Sequence, residues 1–272
     1  MKELKKTVIY IIVFVLLLSC PMYNFLAISN SGSKVEAVDE DKTERGINII
    51  EKLASYDLQK AEKRVRKAEK DRTFVGSATV TQINDTIKKI EKGTLSYRNV
   101  FKNVCVVGDS LMNGLEAYNI LNSNKLVTQV SASLHHLNEN MSRIIGMNPG
   151  ILILHYGINM ISGQQYHLDD FIETYTNHIK TLKKALPDTR IIISLIFPVK
   201  RSVAKAARFG YIDKYNIALI KMCKSLKVEY LDSSSVLKAH PECYGGDGIH
   251  LSKVFYSQYW LKFIIKEKGI IG

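Results

Sequence analysis

Five short apolar runs that alternate with helical stretches set the strongest limit on how this chain can fold. The runs lie near residues 103–107, 126–130, 150–155, 190–196 and 227–231. The helical stretches lie near residues 111–120, 134–146, 168–186, 211–226 and 252–267. Such alternation is typical of a parallel sheet with helices on both faces. It predicts a three-layer α/β/α fold with a five-stranded parallel sheet and a site at the carboxyl ends of the strands.

The segment Gly108-Asp109-Ser110 follows the first of these runs and places a serine at the end of a strand. A serine becomes a good nucleophile when a base removes its proton and a carboxylate orients that base. Asp247 precedes His250 by three residues on a loop that contains Gly248. Each motif alone is also typical of an ordinary turn. Together they predict that one loop brings both the base and its orienting carboxylate to Ser110.

A third motif, Gly157-Ile158-Asn159, follows the apolar run near residues 150–155. Taken alone, Asn159 is typical of a helix cap or of a turn that its own side chain stabilises. Its place between the other two motifs favours a different role, in which the amide donates to the oxyanion of a tetrahedral intermediate. Both interpretations of Asn159 follow from the sequence.

These three motifs resemble the blocks of the SGNH (GDSL-type) hydrolases over roughly residues 100 to 268. The resemblance implies Ser110 as nucleophile, His250 as base and Asp247 as the residue that orients it. It also implies an oxyanion hole that includes the Ser110 backbone N–H and the Asn159 amide, with no cofactor. Softer features typical of clostridial members also match: Ile196-Phe197-Pro198-Val199, Tyr215-Asn216, Tyr256 and Trp260.

Two positions depart from the pattern of that family. The second block usually offers a glycine, and Ser131 is the nearest equivalent here. Any residue other than proline keeps a backbone N–H, so Ser131 remains a candidate oxyanion donor, although glycine tolerates backbone angles that serine resists. Met160 stands where the family usually has an acidic residue after the third-block asparagine.

The first 28 residues differ sharply from the rest of the 272-residue chain. Three lysines precede an uncharged apolar run that begins at Thr7, and an acidic cluster begins at Glu36. About twenty apolar residues span a bilayer, so residues 1–28 are predicted to form a retained signal anchor, with the N-terminus in the cytoplasm and the remainder outside. A cleaved signal peptide, or a lipoprotein processed at Cys20, is the alternative.

Residues 29–99 are predicted to be a linker and charged helical spacer before a catalytic domain at residues 100–272. The linker begins with Ser29-Asn30-Ser31-Gly32-Ser33, which is flexible in composition. Charges of both signs at helical spacing follow and favour a solvated helix. A second helical stretch from Thr81 to Lys92 carries isoleucines on one side and could dock on the edge of the domain.

Charge and residue types exclude several other classes of function. The net charge is +12, but no basic and aromatic module typical of nucleic-acid binding is present. Positive charge would instead favour anionic lipid headgroups or anionic wall polymers. The remaining histidines have no metal-ligand spacing, so neither a metal nor a cofactor is predicted. Cys105, Cys223 and Cys243 could include a disulfide in an exported domain, but the sequence assigns no pair, nor an oligomeric state.

The combined interpretation is a membrane-tethered extracellular serine esterase. Its predicted substrates are acyl esters, with O-acetyl groups on carbohydrate or cell-envelope polymers as the preferred class. Three alternatives stay open: an O-acyltransferase on the same fold, a lysophospholipase or thioesterase, and a degenerate glycan-binding module without activity.

Overall fold

A computed structural model describes residues 74–75, 78–204 and 208–272 of the chain. Its centre is a sheet of five parallel strands in the spatial order β2-β1-β3-β4-β5. The strands are β1 (Val104–Gly108), β2 (Leu126–Thr128), β3 (Ile151–His155), β4 (Arg190–Ser194) and β5 (Glu229–Leu231). The predicted five-stranded parallel α/β fold is therefore confirmed, and the five strands begin within two residues of the predicted positions.

Burial of the central strands shows that both faces of the sheet are covered. Successive side chains of a strand point to opposite faces. Every residue of β1 is buried, as are the last four residues of β3 and of β4. Such strands form as near-continuous apolar runs because they have no solvent-facing side.

The chain reverses its direction of strand addition after β1, because β2 lies on one side of β1 and β3 on the other. In open parallel sheets the crevice at such a reversal, outside the carboxyl ends of the strands, is where ligands bind. Ser110 follows β1 directly, so the fold places it at this crevice.

The helices pack on the two faces in the way that right-handed crossovers require. They are α1 (Val80–Glu91), α2 (Tyr97–Val100), α3 (Ser110–Ala117), α4 (Leu134–Glu139), α5 (Met141–Met147), α6 (Gln165–Ala185), α7 (Ile212–Leu226), α8 (Ser234–Ala239) and α9 (Leu261–Lys268). Helix α6 packs between α4 and α7, while α3 packs on β1 and β2 and α9 packs against α1. Short 3₁₀ turns lie at Ser123–Lys125, Phe209–Tyr211 and Pro241–Cys243.

Two predicted helices differ from the structure in ways that have local causes. The helix expected over 134–146 is broken at Asn140, whose side chain donates to the His136 carbonyl at 3.0 Å. The helix expected over 252–267 begins with a π-helical stretch, Phe255–Trp260, in which three aromatic side chains are buried. Helix α8 was not predicted, because its six residues are too few to show a helical period.

Helix α1 is part of the packed unit, although it falls within the stretch predicted as spacer. Thr79 and Gln82 form a capping box that starts the helix. Ile83 is buried on the side that faces α9. Within the described residues, none of the helices is both long and apolar enough to cross a membrane. The predicted signal anchor at residues 1–28 and most of the predicted spacer lie outside these residues.

Candidate active site

Ser110 is the first residue of α3 and lies at the carboxyl end of β1. Asp109 caps the helix, since its Oδ1 accepts from the Leu111 backbone N–H at 3.0 Å. Gly108 allows the tight packing beneath this turn, because a Cβ there would lie 2.6 Å from the His155 carbonyl oxygen. The N–H groups of the first turn of a helix point towards solvent and attract negative charge, so Ser110 sits where an anion is stabilised.

The loop that carries Asp247 and His250 brings both side chains to Ser110. The His250 Nε2 atom lies 3.0 Å from the Ser110 Oγ, and the His250 Nδ1 atom lies 2.5 Å from the Asp247 Oδ2. The three side chains thus form one hydrogen-bonded chain across a separation of 140 residues in sequence. This is the geometry in which an imidazole can accept a serine proton while a carboxylate fixes its tautomer.

The carboxylate of Asp247 is held by three donors at once. Its Oδ1 accepts from the backbone N–H groups of Ile249 and His250, at 2.9 and 3.0 Å. The hydrogen bond from the His250 ring, followed by that from Ile249, lowers the pKa of Asp247 to about 2. Asp247 is therefore ionised at neutral pH, which is the state that orients an imidazole.

The site is open to solvent. The His250 and Asp247 side chains are 53% and 47% exposed, and Ser110 is partly buried. The imidazole and carboxylate are thus accessible from solvent.

Asp109 differs from Asp247 because it is completely buried beneath the nucleophile turn. Its Oδ2 atom has no hydrogen-bond partner among the described residues. Burial raises the pKa of Asp109 to about 7, against the smaller opposing effects of the Leu111 N–H and of nearby His250. At neutral pH Asp247 is therefore ionised, whereas a pKa of about 7 leaves Asp109 only partly ionised.

The loops after β2 and β3 meet next to the nucleophile turn. The Asn159 amide nitrogen donates to the Ala132 carbonyl at 3.0 Å, which joins the Ser131 region to the Gly157 turn. This bond uses one of two N–H groups of the amide and leaves the other available. The backbone N–H groups of Ser110 and Ser131 donate to no acceptor within the described residues. Three donors are therefore free on the loops that surround Ser110.

Ser131 adopts the left-handed conformation that its family position normally reserves for glycine. Its φ is +59°, and for a residue with a side chain this costs about 1–2 kcal/mol relative to the right-handed region. The fold therefore holds a serine in a conformation that glycine would adopt without this cost. The glycine of the third motif is retained: Gly157 has a φ of +141°, and a Cβ there would lie 2.3 Å from the Ile196 side chain.

Three residues whose roles could not be derived from the sequence support the site from behind. The Asn216 side chain both donates to and accepts from the Ile196 backbone at 2.9 Å, which fixes the chain after β4. The buried Tyr256 hydroxyl donates to the Leu111 carbonyl on the nucleophile helix. Met160, in place of the usual acidic residue, accepts from the Leu134 N–H through its sulfur at 3.4 Å. Only the family resemblance singled out these positions.

Within the described residues, the other histidines and the cysteines form no second site. His136 bonds to the Tyr156 hydroxyl and the fully buried His155 bonds to Ser194, both at 3.1 Å. No group of histidine, cysteine or acidic side chains able to hold a metal occurs within the part of the chain that the structure describes. The cysteines of that part are free, buried thiols, so the structure forms none of the disulfides that an exported domain could have had: Cys105, Cys223 and Cys243.

Comparison with known proteins agrees with this architecture. A solved structure of a proposed GDSL-like lipase from Parabacteroides merdae has a TM-score of 0.50 and 15% identity, over 61% of this chain and 95% of that one. An acetylxylan esterase from Geobacillus stearothermophilus has a TM-score of 0.48 and 16% identity, over 61% of this chain and 93% of that one. A GDSL-like lipase from Bacteroides thetaiotaomicron has a TM-score of 0.46 and 13% identity, over 70% of this chain and 96% of that one. At 15% identity, the likeness to the Parabacteroides merdae structure shows the fold alone.

The sequence comparison carries the family assignment. No curated protein matches the chain. The model of the GDSL-like Lipase/Acylhydrolase family matches residues 106–257, which is more than half of the 272 residues and includes the nucleophile turn, the Asn159 turn and the loop of Asp247 and His250. The resemblance to SGNH hydrolases is thereby confirmed. This chain belongs to the GDSL-like lipase/acylhydrolase family and is a serine hydrolase that acts on ester bonds.

Proposed function

We propose that Ser110, His250 and Asp247 act as a catalytic triad that hydrolyses short acyl esters. Ser110 attacks the ester carbonyl while His250 takes its proton, and His250 then returns the proton to the departing alcohol. Water attacks the resulting acyl-enzyme with His250 again as base, which releases the acid and restores the serine. The observation that carries this proposal is the hydrogen-bonded chain from Ser110 Oγ through His250 to Asp247.

The oxyanion of the tetrahedral intermediate is proposed to be held by the backbone N–H groups of Ser110 and Ser131 and by the Asn159 amide. Support comes from their position around the serine and from the absence of competing acceptors for the two backbone donors in the described residues. In enzymes of this kind the loss of one oxyanion donor lowers the rate about 100- to 1000-fold.

The preferred substrate is an O-acetyl group on a carbohydrate or cell-envelope polymer. Support comes from the openness of the site, because half-exposed His250 and Asp247 side chains leave space for a polymer on the alcohol side.

The experiment that tests the esterase proposal is hydrolysis of p-nitrophenyl acetate and of esters with longer acyl chains by the purified full chain. Wild type is expected to release p-nitrophenol with short esters, and Ser110→Ala to abolish the release. Ser225→Ala is the matched control, since Ser225 is exposed on α7. If wild type and Ser110→Ala are equally inert on every ester, the proposed reaction is wrong.

The placement outside the cell, tethered by residues 1–28, is a second part of the proposal. It is supported by the apolar run behind three lysines. Membranes from cells that express the chain should retain it after alkaline carbonate washing, and external protease should digest the catalytic domain. Release by carbonate would contradict the anchor, and protection from protease would contradict the orientation.

A further inference from the structure

A basic segment lies directly against the loop that carries Asp247 and His250. Between β4 and α7 the sequence contains four cationic residues and no acidic one over residues 191–212. Two of these cations, Lys200 and Arg201, belong to the described residues 198–204, which we call the basic segment. No part of the triad mechanism uses these two side chains.

Three contacts hold the basic segment in place beside the site. The Lys200 backbone N–H donates to the Gly248 carbonyl at 2.8 Å, and the Tyr244 hydroxyl donates to the Pro198 carbonyl at 2.7 Å. Gly248 is buried with a φ of +69°, and a Cβ there would lie 2.6 Å from a Val203 methyl and 3.0 Å from the Lys200 Cβ. Lys200 is thus packed against Gly248, one of the two residues between Asp247 and His250, and its backbone is held beside the triad loop.

The charges of the basic segment are not neutralised by their surroundings. Lys200 and Arg201 are exposed, and within the described residues neither forms an ion pair or a side-chain hydrogen bond. The acidic residue of the facing loop is Asp247, and its carboxylate is already occupied by His250 and two backbone N–H groups. Two exposed cations without a side-chain partner among the described residues therefore lie on a segment that contacts the loop of Asp247 and His250.

We infer that Lys200 and Arg201 form an anion-binding subsite, and that the natural ester is carried by a polyanionic glycan. This inference rests on the proposed esterase function and names the class of its substrate. A guanidinium binds carboxylate or phosphate oxygens in a bidentate manner, and a lysine adds a mobile positive charge beside it. The acyl group would enter the triad while a negative group of the same polymer contacts the basic segment. A polymer suits this arrangement because the site is open enough to accept one.

The test uses three acetylated polymers, one neutral and two anionic: chemically acetylated dextran, acetylated carboxymethyl-dextran and acetylated dextran phosphate. The full chain is expected to show a kcat/KM about 10-fold higher on the two anionic polymers than on neutral dextran at about 0.01 M salt, and the advantage should vanish at about 1 M salt. The carboxylate and phosphate arms show which anion the subsite favours.

Two double variants distinguish an effect of the basic segment from an effect of the overall surface charge. For each variant, kcat/KM on the anionic polymers is divided by kcat/KM on neutral dextran. In the Lys200→Gln/Arg201→Gln double variant this ratio should fall roughly 5-fold, because two exposed charge contacts are lost. The fall should come from a higher KM on the anionic polymers. In the control Lys180→Gln/Lys184→Gln, which removes two exposed lysines of α6, the ratio should stay at the wild-type value.

Several results would overturn the inference. A wild type that hydrolyses p-nitrophenyl acetate but shows no preference for anionic polymers contradicts the anionic substrate and leaves the esterase proposal intact. An unchanged ratio in the double variant, or an equal fall in the control, contradicts the role of the basic segment. Binding to phosphatidylglycerol vesicles that requires Lys200 and Arg201, without any polymer preference, would assign the cations to a lipid surface instead. A wild type inert on all esters, p-nitrophenyl acetate included, would overturn both proposals.

Discussion

At the scale of single residues, the two carboxylates of the site are in opposite protonation environments. Asp247 accepts three hydrogen bonds, which lower its pKa to about 2, whereas burial raises the pKa of Asp109 to about 7. Two titratable groups of one site whose pKa values are shifted in opposite directions characteristically have distinct chemical roles. The charge of Asp247 suits it to orient His250, whereas Asp109 caps the nucleophile helix through a hydrogen bond that opposes the effect of burial on its pKa.

The charge of Asp247 is therefore predicted to be essential for activity. Asp247→Asn retains the shape of the side chain but removes the carboxylate that fixes the His250 tautomer, so kcat/KM on p-nitrophenyl acetate should fall about 1000- to 10,000-fold. Asp169→Asn, on the exposed side of α6, serves as the control and should leave the rate unchanged. A loss below about 10-fold in Asp247→Asn would show that the carboxylate has no orienting role.

The raised pKa of Asp109 predicts a specific dependence of stability on pH. Between the ordinary value of 3.8 and about 7, the folded protein keeps a proton that the unfolded chain has released. The free energy of unfolding should therefore decrease as the pH rises through this range, by up to about 1.4 kcal/mol per pH unit from this group. Asp109→Asn keeps a capping side chain but cannot ionise.

Urea unfolding of wild type and Asp109→Asn at several pH values checks this prediction. The stability of the variant relative to wild type should increase steadily from about pH 4 to pH 7 and level off above it. A difference that stays constant over this range would mean that Asp109 titrates like an exposed carboxylate.

At the scale of secondary-structure elements, the position of the nucleophile depends on how α3 packs against the π-helical stretch Phe255–Trp260. Gly114 of α3 faces the ring of Tyr256, and a Cβ at Gly114 would lie 2.7 Å from three atoms of that side chain. Tyr256 is itself buried and bonded to Leu111, so it has little room to move away. The glycine allows the contact that holds the first turn of α3 in place.

Gly114→Ala is accordingly expected to lower the free energy of unfolding by about 1–3 kcal/mol, because the added methyl overpacks this contact. Gly146→Ala is a matched comparison within helix α5, where a Cβ would meet no atom within 4 Å. That change should raise stability by about 0.5–1 kcal/mol, since alanine favours the helix more than glycine does. Equal effects of the two substitutions in chemical denaturation would refute the packing argument.

Elements with a clear period could be predicted from the sequence, and those shaped by contacts across the fold could not. The five strands follow from apolar runs such as 190–196, which is buried from Ile191 to Ile196 and therefore shows a near-continuous apolar pattern. The break at Asn140 depends on a local side-chain bond, and the π-helical stretch depends on how its aromatic rings pack. Likewise, the motifs singled out Ser110, Asp247 and His250, but nothing in them indicates that Lys200 packs against Gly248.

At the scale of the whole molecule, the packed unit extends beyond the domain predicted at residues 100–272. Residues from Ala78 onward contribute to the core, with Ala78 and Ile83 buried and Ile87 and Ile90 packed against it. The sequence suggested only that this stretch could dock, because its many charges and its separation from the motifs favour a spacer. Its isoleucines lie against the last helix, which the sequence could not specify.

Ile83→Ala should therefore reduce the stability of the catalytic domain by about 2–4 kcal/mol, as expected for truncation of a buried isoleucine. Val80 of the same helix is 46% exposed, and Val80→Ala should change the stability by less than about 0.5 kcal/mol. Both values come from urea unfolding followed by tryptophan fluorescence of Trp260, which is buried in the core. If neither substitution has an effect, α1 does not contribute to the folded unit.

The central claim is that His250 activates Ser110, and covalent labelling with a fluorophosphonate probe tests it most directly because no substrate needs to be known. Peptide mapping of the labelled full chain should find the probe on Ser110, and His250→Asn should slow the labelling at least about 100-fold. Labelling of a different serine, or an equal rate in wild type and His250→Asn, would contradict the account.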